Sequence, residues 1–189
     1  MKNKGIWKET INYLKKDSWD SWLVALVLVF VFIKFIFFPL LSLITGSSLP
    51  LVVVESCSMY HETNFDDWWF QNSAWYEQKG INKSDFLQYP FKTGLNKGDI
   101  IITWNHGEYK KGDIIIFNAQ TQYPLIHRII SDKKISTKGD HNPGQLDIER
   151  EISEEQVIGK AVARIPLLGW LKLIFFEPFK SSDQRGLCA

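Results

Sequence analysis

Apolar positions are distributed along this chain in three distinct ways, and each predicts a different kind of element. Residues 22–45 are an almost unbroken run of Leu, Val, Ile and Phe. At about 1.5 Å per residue such a run spans the roughly 30 Å hydrocarbon layer of a bilayer, which predicts one transmembrane helix. Its apolar core is too long for a cleavable signal, and Pro39 predicts a kink in its later part. Residues 1–21 instead set Ile6, Trp7, Ile11 and Leu14 at near-helical spacing among lysines, the pattern of a short amphipathic helix on a membrane surface.

From residue 96 onward the pattern changes to short β-branched runs bounded by turn residues. Lys97-Gly98-Asp99-Ile100-Ile101-Ile102 and Lys111-Gly112-Asp113-Ile114-Ile115-Ile116-Phe117 each read as turn then strand. Strands are also predicted over residues 124–130, 135–138 and 157–165. Short strands with frequent turns argue for a mainly β, antiparallel coiled-sheet or barrel-like domain, anchored in a membrane by one N-terminal transmembrane helix. Residues 61–95 look inserted, with a helix from Asp66-Asp67 to Gly80 and a shorter one from Ser84-Asp85. Their aromatic residues suit either a lid resting at the bilayer interface or a small satellite core. Residues 165–179 are apolar but too short between Pro166 and Pro178 to span a bilayer, so a surface-dipping helix or a cover for the sheet is expected. The resulting organisation is a cytoplasmic segment 1–21, a span 22–45, an extracytoplasmic domain 46–179 and a flexible tail 180–189.

Composition narrows this picture. A chain of 189 residues with 45% apolar content can form one modest domain plus an anchor. Lys+Arg 22 against Asp+Glu 21 gives a net charge of +1, which carries no nucleic-acid footprint. Lys2, Lys4, Lys8, Lys15 and Lys16 precede the span and no lysine follows it closely, so the positive-inside rule places the N-terminus in the cytoplasm of a cell membrane and residues 46–189 outside. Cys57 and Cys188 form no spaced framework, and a bond between them is not expected. His61, Cys57, His127 and His141 match no metal-ligand spacing, and neither a metal nor another cofactor is expected.

The candidate chemistry begins at Leu51-Val52-Val53-Val54-Glu55-Ser56-Cys57-Ser58-Met59-Tyr60, a β-forming run that ends in hydroxyls. In an extended chain Ser56 and Ser58 share a face and Cys57 takes the other. Taken alone, such hydroxyls commonly bond to nearby backbone. In its wider context, however, Ser56-Cys57-Ser58-Met59-Tyr60-His61 resembles the Ser-Gly-Ser-Met-x-Pro box of the type I signal peptidases, in the form found in archaea and in the endoplasmic reticulum. Cys57 and His61 depart from that box. Further boxes follow in the family's order: Gly112-Asp113-Ile114-Ile115-Ile116-Phe117, Pro124-Leu125-Ile126-His127-Arg128-Ile129-Ile130, Thr137-Lys138-Gly139-Asp140-His141-Asn142, and Gly159-Lys160-Ala161 through Ile165-Pro166. The resemblance covers residues 22–62 and 96–170.

The resemblance implies a membrane-bound serine endopeptidase that removes signal peptides from exported preproteins. Ser58 falls at the nucleophile position and His127 at the position of the general base, where bacterial members carry Lys. An imidazole titrates near neutrality and suits both taking up and returning a proton. Two Asp residues of the family map onto Asp140 and Asp147, with Asp147 preferred as the partner of His127 and Asp140 as an organiser behind it. The Ser58 N–H and the Ser56 hydroxyl are the implied oxyanion donors. Val52, Val54 and Met59 are candidate walls of a pocket for small side chains on a peptide added along the strand edge. Implied partners are secretory preproteins, the lipid bilayer and a translocation channel. The alternative reading is a catalytically inactive, membrane-anchored peptide-binding or scaffold domain, favoured by the departures at Cys57 and His61. A Ser/Lys relative would need a lysine where His127 stands.

Overall fold

The computed structural model describes residues 3–188. The chain divides between Ile44 and Thr45 into two compact units. In the first, helix α1 (Asn3–Leu14) leads into α2 (Trp19–Phe32), a π turn (Ile33–Phe37) and α3 (Phe38–Thr45). The last three run together as one helix, Trp19–Thr45, whose 27 residues are long and apolar enough to cross a membrane. The π turn lies just before Pro39, which cannot donate a backbone hydrogen bond, and there Phe38 N–H reaches back five residues to the Ile33 carbonyl. Tyr13 ties α1 to α2 by donating its hydroxyl to Asp20 (2.7 Å) and accepting the Ser21 hydroxyl at its carbonyl (2.8 Å).

The second unit is a curled antiparallel sheet. Strand β1 (Leu51–Val53) is followed by helices α4 (Phe65–Gln78) and α5 (Lys83–Phe86). Strands β2 (Ile100–Trp104), β3 (Ile114–Phe117), β4 (Leu125–Ser131), β5 (Ser136–Lys138) and β6 (Val157–Ile165) come next, then helix α6 (Trp170–Phe176). The six strands lie in the order β1-β2-β6-β3-β4-β5. Register shifts in the pairings of β2 with β6, β3 with β6 and β4 with β5 add local twist and curl the sheet. Side chains of β3 alternate between two cores: Ile114 and Ile116 pack with Val54, Met59 and Ile101, while Ile115 and Phe117 pack with Ile129 and Val157.

The 61–95 segment builds a third core. Trp68, Trp69, Tyr76, Ile81 and Phe86 are buried against Ile130 of β4, which favours the satellite-core reading over the lid. Asn64 caps α4 by accepting the N–H groups of Asp66 and Asp67, and a capping box between Asn82 and Asp85 starts α5. Phe70 points outward at 86% exposure.

In the C-terminal segment, buried Lys97 donates to the Glu177 carboxylate (2.9 Å) and to the Gln184 carbonyl (2.6 Å). One expectation is corrected here. Cys57 and Cys188 are joined in a disulfide across 131 residues of sequence. Sequence spacing cannot reveal that bond, since it is the tail's bonds to Lys97 and Glu55 that bring the two residues together.

Candidate active site

Strand β1 is shorter than the sequence suggests. It ends at Val53, and the chain turns so that Tyr60 N–H bonds to the Cys57 carbonyl (3.0 Å). Ser58 therefore sits on a turn rather than a strand edge. The Ser56 and Ser58 hydroxyls still converge, with their oxygens 3.2 Å apart, at the long end for a hydroxyl pair.

Curling of the sheet brings this turn onto β4 and the loop after β5, although β1 and β4 are separated in strand order. His141 N–H bonds to the Ser58 carbonyl (2.9 Å), which docks the turn on that loop. His127, central in β4 and only 2% exposed, presents Nε2 to the Ser58 hydroxyl at 2.9 Å across 69 residues of sequence. Gly139 makes this approach feasible. A Cβ there would lie 2.8 Å from the Ser58 carbonyl oxygen and 2.9 Å from His127 Nε2, closer than any side chain tolerates.

The carboxylate at the far side of the imidazole is Glu149, not Asp147. Glu149 is fully buried, and its Oε1 makes a short contact with His127 Nδ1. Thr137 Oγ1 donates to the same oxygen (3.2 Å) and Leu146 N–H to Oε2 (2.8 Å), so both oxygens are held. Asp147 is exposed and pairs with Arg150 (2.9 Å). The loop from Gly139 to Leu146 returns along β5 in a phase that turns Asp147 outward and Glu149 inward. One residue separates the two acids, so their spacing alone could not choose between them.

Asp140 lies elsewhere in the network. Successive residues of a strand face opposite ways, so Arg128 turns from the His127 side towards the inserted helices. There its guanidinium holds Asp140 through Nη2 (2.7 Å) and Nε (3.0 Å), and its remaining donors bond to the carbonyls of Pro90, Phe91 and Gly112. Tyr76 donates to Asp140 Oδ1 (3.0 Å) and His61 Nε2 lies 3.1 Å from Oδ2. Burial opposes ionisation of Asp140, but Arg128 and His61 outweigh it and hold the carboxyl well below the usual carboxylate range. Burial also lowers the His61 pKa, against the pull of Asp140. His61 stacks on Trp68 with ring centroids 3.7 Å apart, so the residue standing where the family box has Pro is built into the third core.

Lys138 merits comparison as a rival base, since burial pushes its ammonium down to about 8. Its Nζ donates to the carbonyls of Gly139 (3.0 Å) and Asp140 (3.4 Å) and lies over the rings of Trp75 and Tyr76. The nitrogen in reach of the Ser58 hydroxyl is that of His127. Of the proposed pocket walls, Val54 and Met59 are closed inside a core, and Val52 is half-buried beside it.

A half-buried hydroxyl followed by a buried imidazole and carboxylate, on a curled β-domain, is the arrangement of the serine-type peptidases. No family model matches the chain, but curated relatives do. It is 26% identical over 159 residues to the signal peptidase complex catalytic subunit SEC11 of Lachancea thermotolerans, covering 76% of each chain. It is 31% identical over 121 residues to the subunit of the same name from Sclerotinia sclerotiorum, covering 53% of this chain and 68% of that one. The Komagataella phaffii subunit matches at 25% over 162 residues, with 76% of each chain covered. The chain belongs to the signal peptidase I family, in its archaeal and endoplasmic-reticulum form.

Proposed function

We propose that this protein removes signal peptides from exported preproteins, with Ser58 as nucleophile, His127 as general base and Glu149 as the carboxylate that orients it. The 2.9 Å contact between Ser58 Oγ and His127 Nε2 carries this reading. Ser58 Oγ attacks the carbonyl carbon of the scissile peptide bond while its proton passes to Nε2. Glu149 accepts from Nδ1–H, fixing the tautomer and stabilising the imidazolium that forms. The Ser58 N–H and the Ser56 hydroxyl are the candidate donors to the oxyanion. Nε2–H then protonates the leaving amine, and a water activated by the same nitrogen hydrolyses the resulting serine ester. Asp140 acts behind the site, coupling the loop that holds Ser58 to the third core.

Separate observations support the proposed place in the cell. The lysine bias before the span supports a cytoplasmic N-terminus, and a disulfide in the second unit supports an oxidising, extracytoplasmic location for it. Helix α6 buries Leu173 while Leu171, Ile174 and Phe175 stay exposed, which suits contact with lipid. Val52 is the pocket candidate with an accessible side chain and the one assigned to the substrate, whose small residues the family resemblance implies.

The two acids provide the sharpest test of the assignment. Glu149→Gln is expected to lower kcat for preprotein cleavage by roughly 10²- to 10⁴-fold, whereas Asp147→Asn leaves it within about 2-fold. The opposite ranking would return the role to Asp147. Gly139→Ala is expected to cost about 10²-fold in kcat by pushing the Ser58 turn away from His127, a loss that a displacement of the order of 1 Å can produce.

A further inference from the structure

The stretch that delivers Ser58 is held from an unexpected side. Past the end of β1, Val54 is held on both its backbone groups by the chain that enters β2, its N–H donating to the Asp99 carbonyl and its carbonyl accepting the Gly98 N–H. Among the described residues, the hydrogen bonds and ion pairs of Glu55 all come from the C-terminal segment. Lys180 Nζ donates to the Glu55 carbonyl (3.1 Å), and Lys172 Nζ bonds to its carboxylate (2.8 Å). Two residues on, Cys57 is bonded to Cys188. The family box has Gly at this position, so a side chain here is a departure that the tail puts to use.

The segment doing the holding is itself firmly seated. Lys97, 2% exposed, binds both the Glu177 carboxylate and the Gln184 carbonyl, and Glu177 also accepts Gly186 N–H (2.8 Å). Trp170 closes over the same lysine, with Nε1 donating to the Lys97 carbonyl (3.1 Å). The tail therefore runs from a buried ion pair to a covalent bond beside the nucleophile. On the other flank, Ser58 and Met59 are fixed by His141 N–H and Leu95 N–H.

We infer that segment 172–188 is a covalently closed clamp that positions Ser58, so that turnover by the peptidase depends on the Cys57–Cys188 disulfide. This rests on Ser58 being the nucleophile. Cys57 and Cys188 are positioning residues, acting through the backbone of the turn rather than on substrate. Reduction by a dithiol breaks the S–S bond and makes two thiols, the two electrons and two protons coming from the dithiol as it closes to its own disulfide. Freed at Cys57, the turn loses its tie on the side away from His141, and the Ser58 hydroxyl samples positions out of line with His127.

The test uses the full chain in liposomes with a secretory preprotein, comparing oxidised protein with protein treated with dithiothreitol. Reduction is expected to lower kcat by roughly 10- to 100-fold with KM unchanged, and reoxidation to restore it. Cys188→Ser should reproduce the reduced value and show no further response to the dithiol. Lys180→Met, which keeps the disulfide and removes one of the two lysine ties to Glu55, should lower kcat in the same direction by a smaller factor. An unchanged kcat in reduced wild type, a rise on reduction, or a change confined to KM would each overturn the clamp. Ser58→Ala in the oxidised state separates the two readings. Cleavage that persists in this variant refutes the nucleophile assignment, whereas a Ser58-dependent activity indifferent to reduction refutes the clamp alone.

Discussion

Ser58→Ala and His127→Ala are each expected to lower preprotein cleavage at least ~10³-fold, with the KM for preprotein little changed. The two side chains meet in a single 2.9 Å contact and, in the proposed mechanism, act on the same proton, so removing either leaves the other without a task. The double variant should consequently be no slower than the worse single one, a non-additivity that two independent contributions would not show. The measurement is single-turnover cleavage by purified protein in liposomes, with the product's new N-terminus identified. Substantial cleavage by Ser58→Ala, or additive losses in the pair, would remove Ser58 and His127 from the roles assigned to them.

The second large effect concerns stability. Arg128→Met is expected to destabilise the second unit by about 3–5 kcal/mol, because it strands Asp140 as a buried charge and leaves three carbonyls without their donor. Both partners are fully buried, so solvent screening does not dilute the interaction. Arg128→Met combined with Asp140→Leu should recover part of the loss, because the uncompensated charge is gone. The pH dependence has a definite sign. The folded-state pKa of Asp140 is depressed, so the unfolded chain takes up the proton first as pH falls, from about pH 5 downward. The contribution is thus fully present at neutral pH and is lost on acidification. His61, whose folded pKa is also lowered, acts in the same direction from about pH 6.5 downward. Urea midpoints measured from pH 7 to pH 3 should fall less steeply for Asp140→Asn than for wild type, and parallel slopes would contradict the assigned ion pair.

Much of this was legible along the chain because the signals are local. An apolar run of bilayer length, β-branched runs between Gly-Asp turns, and ordered boxes around Ser58 and His127 each depend on neighbours in sequence. The capped helices of the inserted segment were legible for the same reason, since Asp66-Asp67 and Ser84-Asp85 mark their first turns. Those helices' role was not legible. An aromatic stripe suits lipid and a protein core equally well, and only its packing on Ile130 and the bond from Tyr76 to Asp140 place it inside.

The sequence by itself determined that the chain carries one helix able to cross a membrane, an antiparallel β-domain after it, and a hydroxyl and an imidazole set in the boxes of one peptidase family. Tertiary structure alone decided which acid meets the imidazole, because a loop's phase, not residue spacing, turns Glu149 inward and Asp147 out. It alone joined Cys57 to Cys188, because the tail seated on Lys97 brings residues distant in sequence to the turn that carries Ser58. Periodicity records which face a residue takes within its own element, whereas the meeting of elements distant in sequence is set by the curl of the sheet they share.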